Sequence, residues 1–225
     1  MNEQTSLPTT SDLFDLSHTI AAELLQQQQY PWQIIGSIKD FIISISASLD
    51  PNVYENRGDG VFVARDAKIA PSAYIAGPCI VDSGAEIRHC AYIRGSAIVG
   101  HGAVVGNSCE LKNCILFDGV QVPHFNYVGD SILGYKSHLG AGAVTSNVKS
   151  DKSEVKIRMG DHTFETGRKK LGAILGDFVE VGCNSVLCPG TVIGRNTNIY
   201  PLSRVRGVIP ANAIFKSETN IVEKK

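Results

Sequence analysis

The fold is decided by residues 63–122, which read VARDAKIAPSAYIAGPCIVDSGAEIRHCAYIRGSAIVGHGAVVGNSCELKNCILFDGVQV. An apolar residue recurs at every sixth position of this stretch: 63, 69, 75, 81, 87, 93, 99, 105, 111 and 117. Four positions after each of the first eight comes a small residue: Ala67, Ala73, Cys79, Ala85, Ala91, Ala97, Ala103 and Cys109. A six-residue period matches neither the period of about 3.6 of a helix nor the period of about 2 of a strand, and it is typical of a hexapeptide-repeat parallel β-helix.

In such a β-helix, short strands wind around a triangular prism, with the apolar residue in the interior and the small residue at the tight corner. Each buried Val, Ile or Leu contributes roughly 1.5–3 kcal/mol, so the stack supplies its own core. The alternative is a set of ordinary short strands in a sandwich, but ten hexads in unbroken phase favour the prism. The sequence therefore predicts an all-β, left-handed parallel β-helix over residues 60–209.

The segment before the repeat, residues 1–59, is predicted to cap it. It contains a tail over residues 1–10 and two amphipathic stretches, which predict helices over about 12–28 and 32–48. We expect this pair to form an N-terminal helical cap over the open end of the β-helix, because a bare terminal coil exposes core. The alternative is a separate functional module.

The hexads are interrupted at residues 145–173, a polar and basic segment, and return afterwards. We predict that this insertion is an arm projecting from the prism, since insertions in repeat folds lie on one face, often the binding face. The C-terminal tail, residues 210–225, leaves the repeat, and either a closing helix or a closing strand fits it.

Composition and targeting signals argue against several classes of protein. The net charge is −1, so the charge balance indicates neither nucleic acid nor a membrane surface as a partner. No apolar run approaches the ~20 residues that span a bilayer, and the polar N-terminus lacks the layout of a signal peptide, so we predict a cytoplasmic protein. The six cysteines form no CxxC pair, which argues against a zinc or redox site, and Cys79 and Cys109 occupy small inward positions.

Two cations occupy outward positions that the prism would bring together. One coil takes three hexads, about 18 residues, so residues 18 apart stack on the same face. Arg94 and Lys112 are such a pair, and at a strand spacing of ~4.8 Å they repel each other unless an anion bridges them. A phosphate would bind well between a guanidinium and an ammonium group. The alternative is that Glu110 neutralises Lys112 without any ligand.

One histidine also occupies an outward position. The 18-residue coil stacks His124 under Gly106 and then Arg88, so the glycine would leave open space beside the imidazole. Histidine is the side chain best suited to general-base catalysis near neutral pH. The alternative is an ordinary surface histidine.

The stretch VPHFNYVGD at 122–130 is followed by LGAG at 139–142 and by Asn147. This succession resembles the acetyltransferase domain of the bifunctional UDP-N-acetylglucosamine pyrophosphorylase/glucosamine-1-phosphate N-acetyltransferase family. With its basic insertion and the GRKKLGA at 167–173, the chain looks closest to the archaeal-type sugar-phosphate nucleotidyltransferase/acetyltransferases. The resemblance covers residues 60–210, and the nucleotidyltransferase half of that family is missing.

The resemblance implies roles for individual residues. His124 matches the proposed general base, and Asn147 matches a residue that contacts the substrate in the catalytic site. The residues that match Arg94, Lys112 and Tyr127 hold the sugar phosphate in the family. The resemblance also implies a homotrimer with active sites between neighbours, towards which the insertion would reach.

For the coenzyme, the resemblance implies acetyl-CoA as co-substrate, with Ala141 beside it and no metal. Cys183 stands where a coenzyme-contacting serine is usual. His138 replaces a substrate-contacting asparagine, and Val148 replaces a tyrosine beside the catalytic asparagine. These departures concern the identity of the sugar more than the reaction class.

The predicted function is therefore N-acetyl transfer from acetyl-CoA to the amine of an amino-sugar 1-phosphate, of the glucosamine-1-phosphate type. The alternative is a non-catalytic module that binds a sugar phosphate or assembles with a separate nucleotidyltransferase. A γ-type carbonic anhydrase on the same prism needs three zinc-binding histidines with one pair five apart, and no two histidines of this chain are five apart.

Overall fold

The computed structural model describes residues 6–224. Three short α-helices and two 3-10 helices precede the β-structure: α1 (Thr10–Leu13), a 3-10 helix (Leu16–His18), α2 (Ala22–Gln26), a second 3-10 helix (Pro31–Ser37) and α3 (Ile38–Ser46). Residues 1–5 of the predicted tail lie outside the described residues, whereas Leu7 of the same tail is buried.

Twenty-five strands follow within the described residues. They are β1 (Tyr54–Asn56), β2 (Val61–Ala64), β3 (Lys68–Ile69), β4 (Tyr74–Ile75), β5 (Cys79–Val81), β6 (Glu86–Ile87), β7 (Tyr92–Ile93), β8 (Ala97–Val99), β9 (Val104–Asn107), β10 (Glu110–Leu116), β11 (Gln121–His124), β12 (Tyr127–Leu133), β13 (His138–Leu139), β14 (Val144–Thr145), β15 (Val155–Met159), β16 (His162–Arg168), β17 (Ala173–Leu175), β18 (Glu180–Val181), β19 (Val186–Leu187), β20 (Thr191–Ile193), β21 (Asn198–Ile199), β22 (Arg204–Val205), β23 (Val208–Ile209), β24 (Ala213–Ser217) and β25 (Asn220–Glu223).

The strands wind around a prism with three parallel faces. The first face contains β3, β6, β9, β11, β13, β18, β21 and β24, and the second contains β4, β7, β14, β19 and β22. The third contains β2, β5, β8, β17, β20 and β23. Strands β10 and β12 run from the second face through the corner into the third, so these two faces share one sheet. The predicted left-handed parallel β-helix is confirmed.

The interior is built from the two positions that the hexads predict. Val81 pairs with Val99, Cys79 pairs with Ala97, and all four side chains are buried. Cys109 is likewise buried, and its thiol donates to the carbonyl of Val122 at 3.0 Å. All six cysteines lie within the described residues and are free thiols.

The N-terminal segment packs on the third face of the prism, so the predicted position over the open end is wrong. Ile80, Ile98 and Ile115 pair across β5, β8 and β10 between inward-facing neighbours, so their side chains point outward, yet each is fully buried. Helix α3 packs on β8 and β10, and the 3-10 helix Pro31–Ser37 packs on β12. An apolar outer surface therefore recruits the helices to the flank, where each covered isoleucine contributes roughly 1.5–3 kcal/mol.

The first predicted helix is broken into short pieces. Thr9 caps α1, and the backbone is extended at Phe14, whose ring lies 4.9 Å from that of Phe117. The next residue, Asp15, donates its backbone N–H to a carboxylate oxygen of Asp177 at 2.7 Å. These tertiary contacts outweigh the helical periodicity, because a continuous helix could not make them at consecutive residues. The second predicted helix is a 3-10 helix that continues directly into α3.

The insertion forms an antiparallel hairpin of β15 and β16 that lies against the C-terminal coils, so it is not a projecting arm. Val155 and Ile157 of β15 are fully buried. A Cβ at Gly190 would lie 2.9 Å from the carbonyl oxygen of Lys156, so glycine permits this close approach. The hairpin ends at Arg168, whose guanidinium packs against Gly36 of the N-terminal segment.

The C-terminal tail closes the prism with strands. Strand β24 pairs in parallel with β21 and continues the first face, and β25 turns back antiparallel to cover its edge. The repeat thus extends beyond the predicted end at 209. Among the described residues, no helix has both the length and the apolar character needed to cross a membrane.

Candidate functional site

The predicted site residues fall on two corners that border the second face of the prism. The corner between the first and second faces, which we call the histidine corner, comprises His89, Asn107, His124, Ala141 and Cys183. The corner between the second and third faces, which we call the aspartate corner, comprises Asn113, Asp130 and Asn147 together with Arg94, Lys112 and Tyr127.

Backbone hydrogen bonds stack the histidine corner one strand spacing at a time. The carbonyl of Asn107 accepts from Phe125, and that of His124 accepts from Gly142 at 3.0 Å. The carbonyl of Ala141 in turn accepts from Asn184 at 2.8 Å, which places Cys183 next in the column. His124 is therefore a neighbour of Ala141, and Cys183 lies one coil further, as expected for residues that share one ligand.

The neighbour of His124 on the preceding coil is Asn107, so the predicted stacking under Gly106 is wrong. Glu110 pairs with Tyr92, 18 residues earlier, but Cys114 pairs with Ala97, only 17 residues earlier. The corner between these positions is one residue shorter, which shifts the register of the following coil. The shift places Gly106 against Pro123, where a Cβ would lie 1.6 Å from the proline carbonyl oxygen.

The backbone at His124 is held rigidly while its imidazole is exposed. Buried Asn126 accepts from the backbone N–H of His124 at 3.1 Å and donates to the carbonyls of Gly140 and Ala143 at 2.8 and 3.0 Å. The ring of His124 makes no hydrogen bond to any residue of the described chain, 6–224. An exposed imidazole on a fixed corner is able to exchange protons with a bound ligand.

The aspartate corner centres on a buried carboxylate. The side chain of Asp130 is 4% exposed, and its two oxygens accept from the Lys112 ammonium, each at 2.9 Å. They also accept from the side-chain amides of Asn113, at 2.7 Å, and of Asn147. Asn113, Asp130 and Asn147 are spaced 17 residues apart, so their side chains stack on three successive coils.

Tyr127 joins this network through Asn147, whose amide donates to the phenol oxygen at 3.2 Å. Burial raises the pKa of Tyr127, and the neighbouring carboxylates of Asp130 and Glu110 raise it further. The ring covers Gly129, where a Cβ would lie 2.4 Å from the phenol oxygen. Glycine before the aspartate therefore lets the phenol lie flat on the corner, neutral and able to donate a hydrogen bond.

The two cations stack as predicted but each has its own carboxylate. The N–H of Arg94 donates to the carbonyl of Leu111, which places Arg94 beside Lys112. Arg94 forms an ion pair with Glu110 at 2.7 Å, and this hydrogen bond raises the pKa of the guanidinium. The predicted alternative, a pair between Glu110 and Lys112, is not formed, because Lys112 turns to Asp130 instead.

The structure thus brings Lys112, Tyr127 and Asn147 together around Asp130 and aligns His124 with Ala141 and Cys183. The two groups lie at opposite edges of the second face. Three residues that support this arrangement have no role in the sequence-based prediction: Asn113, Asn126 and Asp130. The 17-residue spacing of Asn113, Asp130 and Asn147 is the sequence signal for the network, and an asparagine at an inward corner position is the signal for Asn126. Among residues 6–224, no group of three or more His, Cys, Asp or Glu side chains could hold a metal ion.

A family model described as the GMPPB C-terminal domain matches residues 75–187. A bifunctional sugar-1-phosphate nucleotidylyltransferase/acetyltransferase of Sulfurisphaera tokodaii is 36% identical over 112 residues, 50% of this chain and 28% of that protein. The bifunctional protein GlmU of Methanococcus maripaludis is 30% identical over 200 residues, 87% of this chain and 48% of that protein. The chain thus spans less than half the length of these relatives.

Among solved structures, the acetyltransferase domain of PglB from Neisseria gonorrhoeae aligns with 84% of this chain and 66% of its own, at 16% identity and a TM-score of 0.35. The H141A mutant of GDP-perosamine N-acetyl transferase from Caulobacter crescentus, solved with CoA and GDP-perosamine, aligns with 73% of this chain and 56% of its own, at 16% identity and a TM-score of 0.32.

Proposed function

The chain belongs to the family of the GMPPB C-terminal domain, and from that premise we propose that it is an N-acetyltransferase acting on an amino-sugar 1-phosphate of the glucosamine-1-phosphate type. The observation that carries the proposal is the single corner column of His124, Ala141 and Cys183. The column places the exposed imidazole of His124 one strand spacing, ~4.8 Å, from Ala141, with Cys183 one coil further. By the family resemblance, Ala141 and Cys183 match residues that lie beside acetyl-CoA.

In the proposed reaction, the amine of the sugar attacks the thioester carbonyl of acetyl-CoA, and the carbon–sulfur bond breaks. His124 removes the proton of the attacking amine, directly or through one water, and passes it to the departing thiolate. The backbone N–H of Ala141 donates no hydrogen bond to any described residue. It is therefore free to stabilise the oxygen on which negative charge develops.

The aspartate corner holds the acceptor. Arg94 and Lys112 contact its phosphate, and Tyr127 and Asn147 contact the phosphate or the sugar. Both cations have carboxylate partners in the structure, so the phosphate shares them with Glu110 and Asp130. Fixing the acceptor by its phosphate converts a bimolecular encounter into a positioned reaction.

Acetyl-CoA is the proposed co-substrate, with Ala141 and Cys183 beside it and no metal in the reaction. The homotrimer implied by the family resemblance would bring the histidine corner of one subunit to the aspartate corner of another. Light scattering at micromolar concentration tests that assembly, and a monomeric mass would contradict it. The predicted cytoplasmic location stays a prediction.

The proposal is tested by release of free thiol from acetyl-CoA, measured over a panel of amino-sugar 1-phosphates. We expect release with at least one acceptor that carries a free amine. The matched control is the same sugar phosphate already N-acetylated, which should give no release. A wild-type protein that releases no thiol on any acceptor would favour the alternative, a non-catalytic module that binds a sugar phosphate.

A further inference from the structure

A basic cleft lies between the insertion hairpin and the C-terminal coils, and none of its lining residues belongs to the two corners defined above. Its volume is about 440 Å³, and its lining consists of Lys149, Lys156, Arg158, Thr163, Pro189 and Arg206. A volume of this size is within the range of small-molecule sites. Neither the family resemblance nor the proposed reaction gives these residues a role.

The position of the cleft is fixed by close contact between β15 and the prism. Gly207 approaches the hairpin so closely that a Cβ would lie 2.5 Å from the carbonyl oxygen of Arg158. Gly190 makes the same kind of approach to Lys156 one coil earlier. Since Val155 and Ile157 are buried, the alternation of the strand leaves Lys156 and Arg158 on its open side. The cleft is therefore a built feature of the fold.

The charges around the cleft are only partly compensated. Lys156 pairs with Glu165 at 2.6 Å, and Lys149 pairs with Asp151 at 3.4 Å. Arg158 and Arg206 form no ion pair with any residue between 6 and 224. Two guanidinium groups consequently face the same cleft without a carboxylate, and like charges held together favour binding of an anion.

The cleft lies along the same edge of the prism as the aspartate corner. The N–H of Gly172 donates to the carbonyl of Asp130, and the N–H of Gly190 donates to that of Gly172. The cleft thus continues the aspartate corner towards the C-terminus, a few strand spacings of ~4.8 Å from Asp130. At that corner Lys112 is neutralised by Asp130, whereas the arginines of the cleft are not neutralised by any described residue.

We propose that this cleft is a second anion site that binds a phosphate or diphosphate group through Arg158 and Arg206. Planar guanidinium groups match phosphate oxygens in bidentate geometry, and the two lysines add positive potential around them. The hydroxyl of Thr163 supplies a further donor at the rim. The site recognises phosphate, which either the coenzyme or a nucleotide-linked acceptor carries. This choice of sources rests on the proposed function, but phosphate binding itself does not.

The test is calorimetric titration of the full chain with inorganic pyrophosphate at low salt, for the wild type, Arg158→Ala and Arg206→Ala. Each substitution removes one charge-assisted contact, so we expect the Kd to rise at least about tenfold in each variant. Arg204→Ala is the matched control, because Arg204 is a neighbouring exposed arginine paired with Glu218 at 2.6 Å. Its Kd should equal that of the wild type.

Two further titrations distinguish the sources, one with adenosine 3′,5′-bisphosphate and one with a nucleoside 5′-diphosphate. A Kd that rises in the two arginine variants for only one probe assigns the source, and a rise for both shows that the phosphate alone is recognised. Equal binding of pyrophosphate by the wild type and both variants, or no binding by the wild type, would overturn the proposal. Because no acetyl transfer is measured, an inactive enzyme that binds pyrophosphate would refute only the proposed reaction.

Discussion

The two corners of the second face differ in whether their functional side chains are hydrogen-bonded to other residues of the protein. At the histidine corner, the backbone of His124 is fixed by buried Asn126, while its ring has no hydrogen bond within the described residues. At the aspartate corner, Asp130 accepts from one ammonium and two amides, and Asn147 extends the network to Tyr127.

This difference corresponds to a division of labour. A general base must be free to gain and lose a proton, so an unpaired imidazole on a rigid backbone suits it. A substrate-positioning group must hold its geometry, so a saturated network suits it. The same prism supplies both, because each corner is repeated coil after coil and only the residue that occupies it changes.

The largest expected effect comes from removing the imidazole of His124. His124→Ala should lower kcat by about 10²–10⁴-fold, because general-base catalysis contributes about that much. Steady-state kinetics on the best acceptor check this expectation. His101→Ala changes an exposed histidine at the third corner and should keep the wild-type kcat; a folded His124→Ala with wild-type kcat would remove His124 from the mechanism.

The next largest effect is a loss of stability at the aspartate corner. Asp130→Asn should lower the free energy of unfolding by about 3 kcal/mol, because it leaves the half-buried ammonium of Lys112 without its carboxylate. Denaturant unfolding measures this loss. In the double variant Lys112→Met/Asp130→Asn the uncompensated charge is gone, so part of the stability should return. A double variant less stable than Asp130→Asn would show that charge pairing is not what Asp130 provides.

A smaller effect is expected for Arg94, where substitution should weaken substrate binding without changing stability. Arg94→Ala should raise the KM for the sugar phosphate about tenfold, because it removes one charge-assisted contact. Its unfolding midpoint should stay that of the wild type, since exposed ion pairs such as Arg94–Glu110 stabilise little. An unchanged KM together with a lowered midpoint would reverse the assignment and make Arg94 a structural residue.

The smallest effect is spectroscopic. Burial and the carboxylates of Asp130 and Glu110 hold the pKa of Tyr127 above its ordinary value near 10. The folded state favours the neutral phenol, so this stabilising contribution is present below pH ~10 and is lost as the pH rises through the raised pKa. The difference in ultraviolet absorbance between the wild type and Tyr127→Phe during alkaline titration isolates this group. In Asp130→Asn the midpoint should move down, and a midpoint that does not move would exclude the carboxylate as a cause.

The fold was predictable because the hexads encode both the interior and the corner positions. The register around His124 was not predictable. The corner between Lys112 and Cys114 is one residue shorter than the corner before it, and the six-residue spacing of apolar residues up to that point does not reveal this. The flank position of the helices was encoded in Ile80, Ile98 and Ile115, whose outward direction becomes informative only once the coil length is known.

Within the site, the residue types were predictable and their pairing was not. Glu110 lies two residues before Lys112 on the same strand and Asp130 lies on the next coil, and only the structure shows that Lys112 pairs with Asp130 and Glu110 with Arg94. The hairpin of the insertion was also not predictable from the sequence, because its two strands contain only two buried apolar residues, Val155 and Ile157, among many charged ones. Long-range docking on Gly190 and Gly207 determines where that hairpin lies.

The division between the corners is tested most directly by the preference for phosphate, the ratio of kcat/KM for an amino-sugar 1-phosphate to kcat/KM for the same amino sugar without phosphate. We predict that His124→Ala lowers both values by a similar factor and leaves the ratio as in the wild type. Arg94→Ala should reduce the ratio about tenfold, because the contact it removes is made only to the phosphate. A ratio lost in His124→Ala, or retained in Arg94→Ala, would contradict this division between the corners.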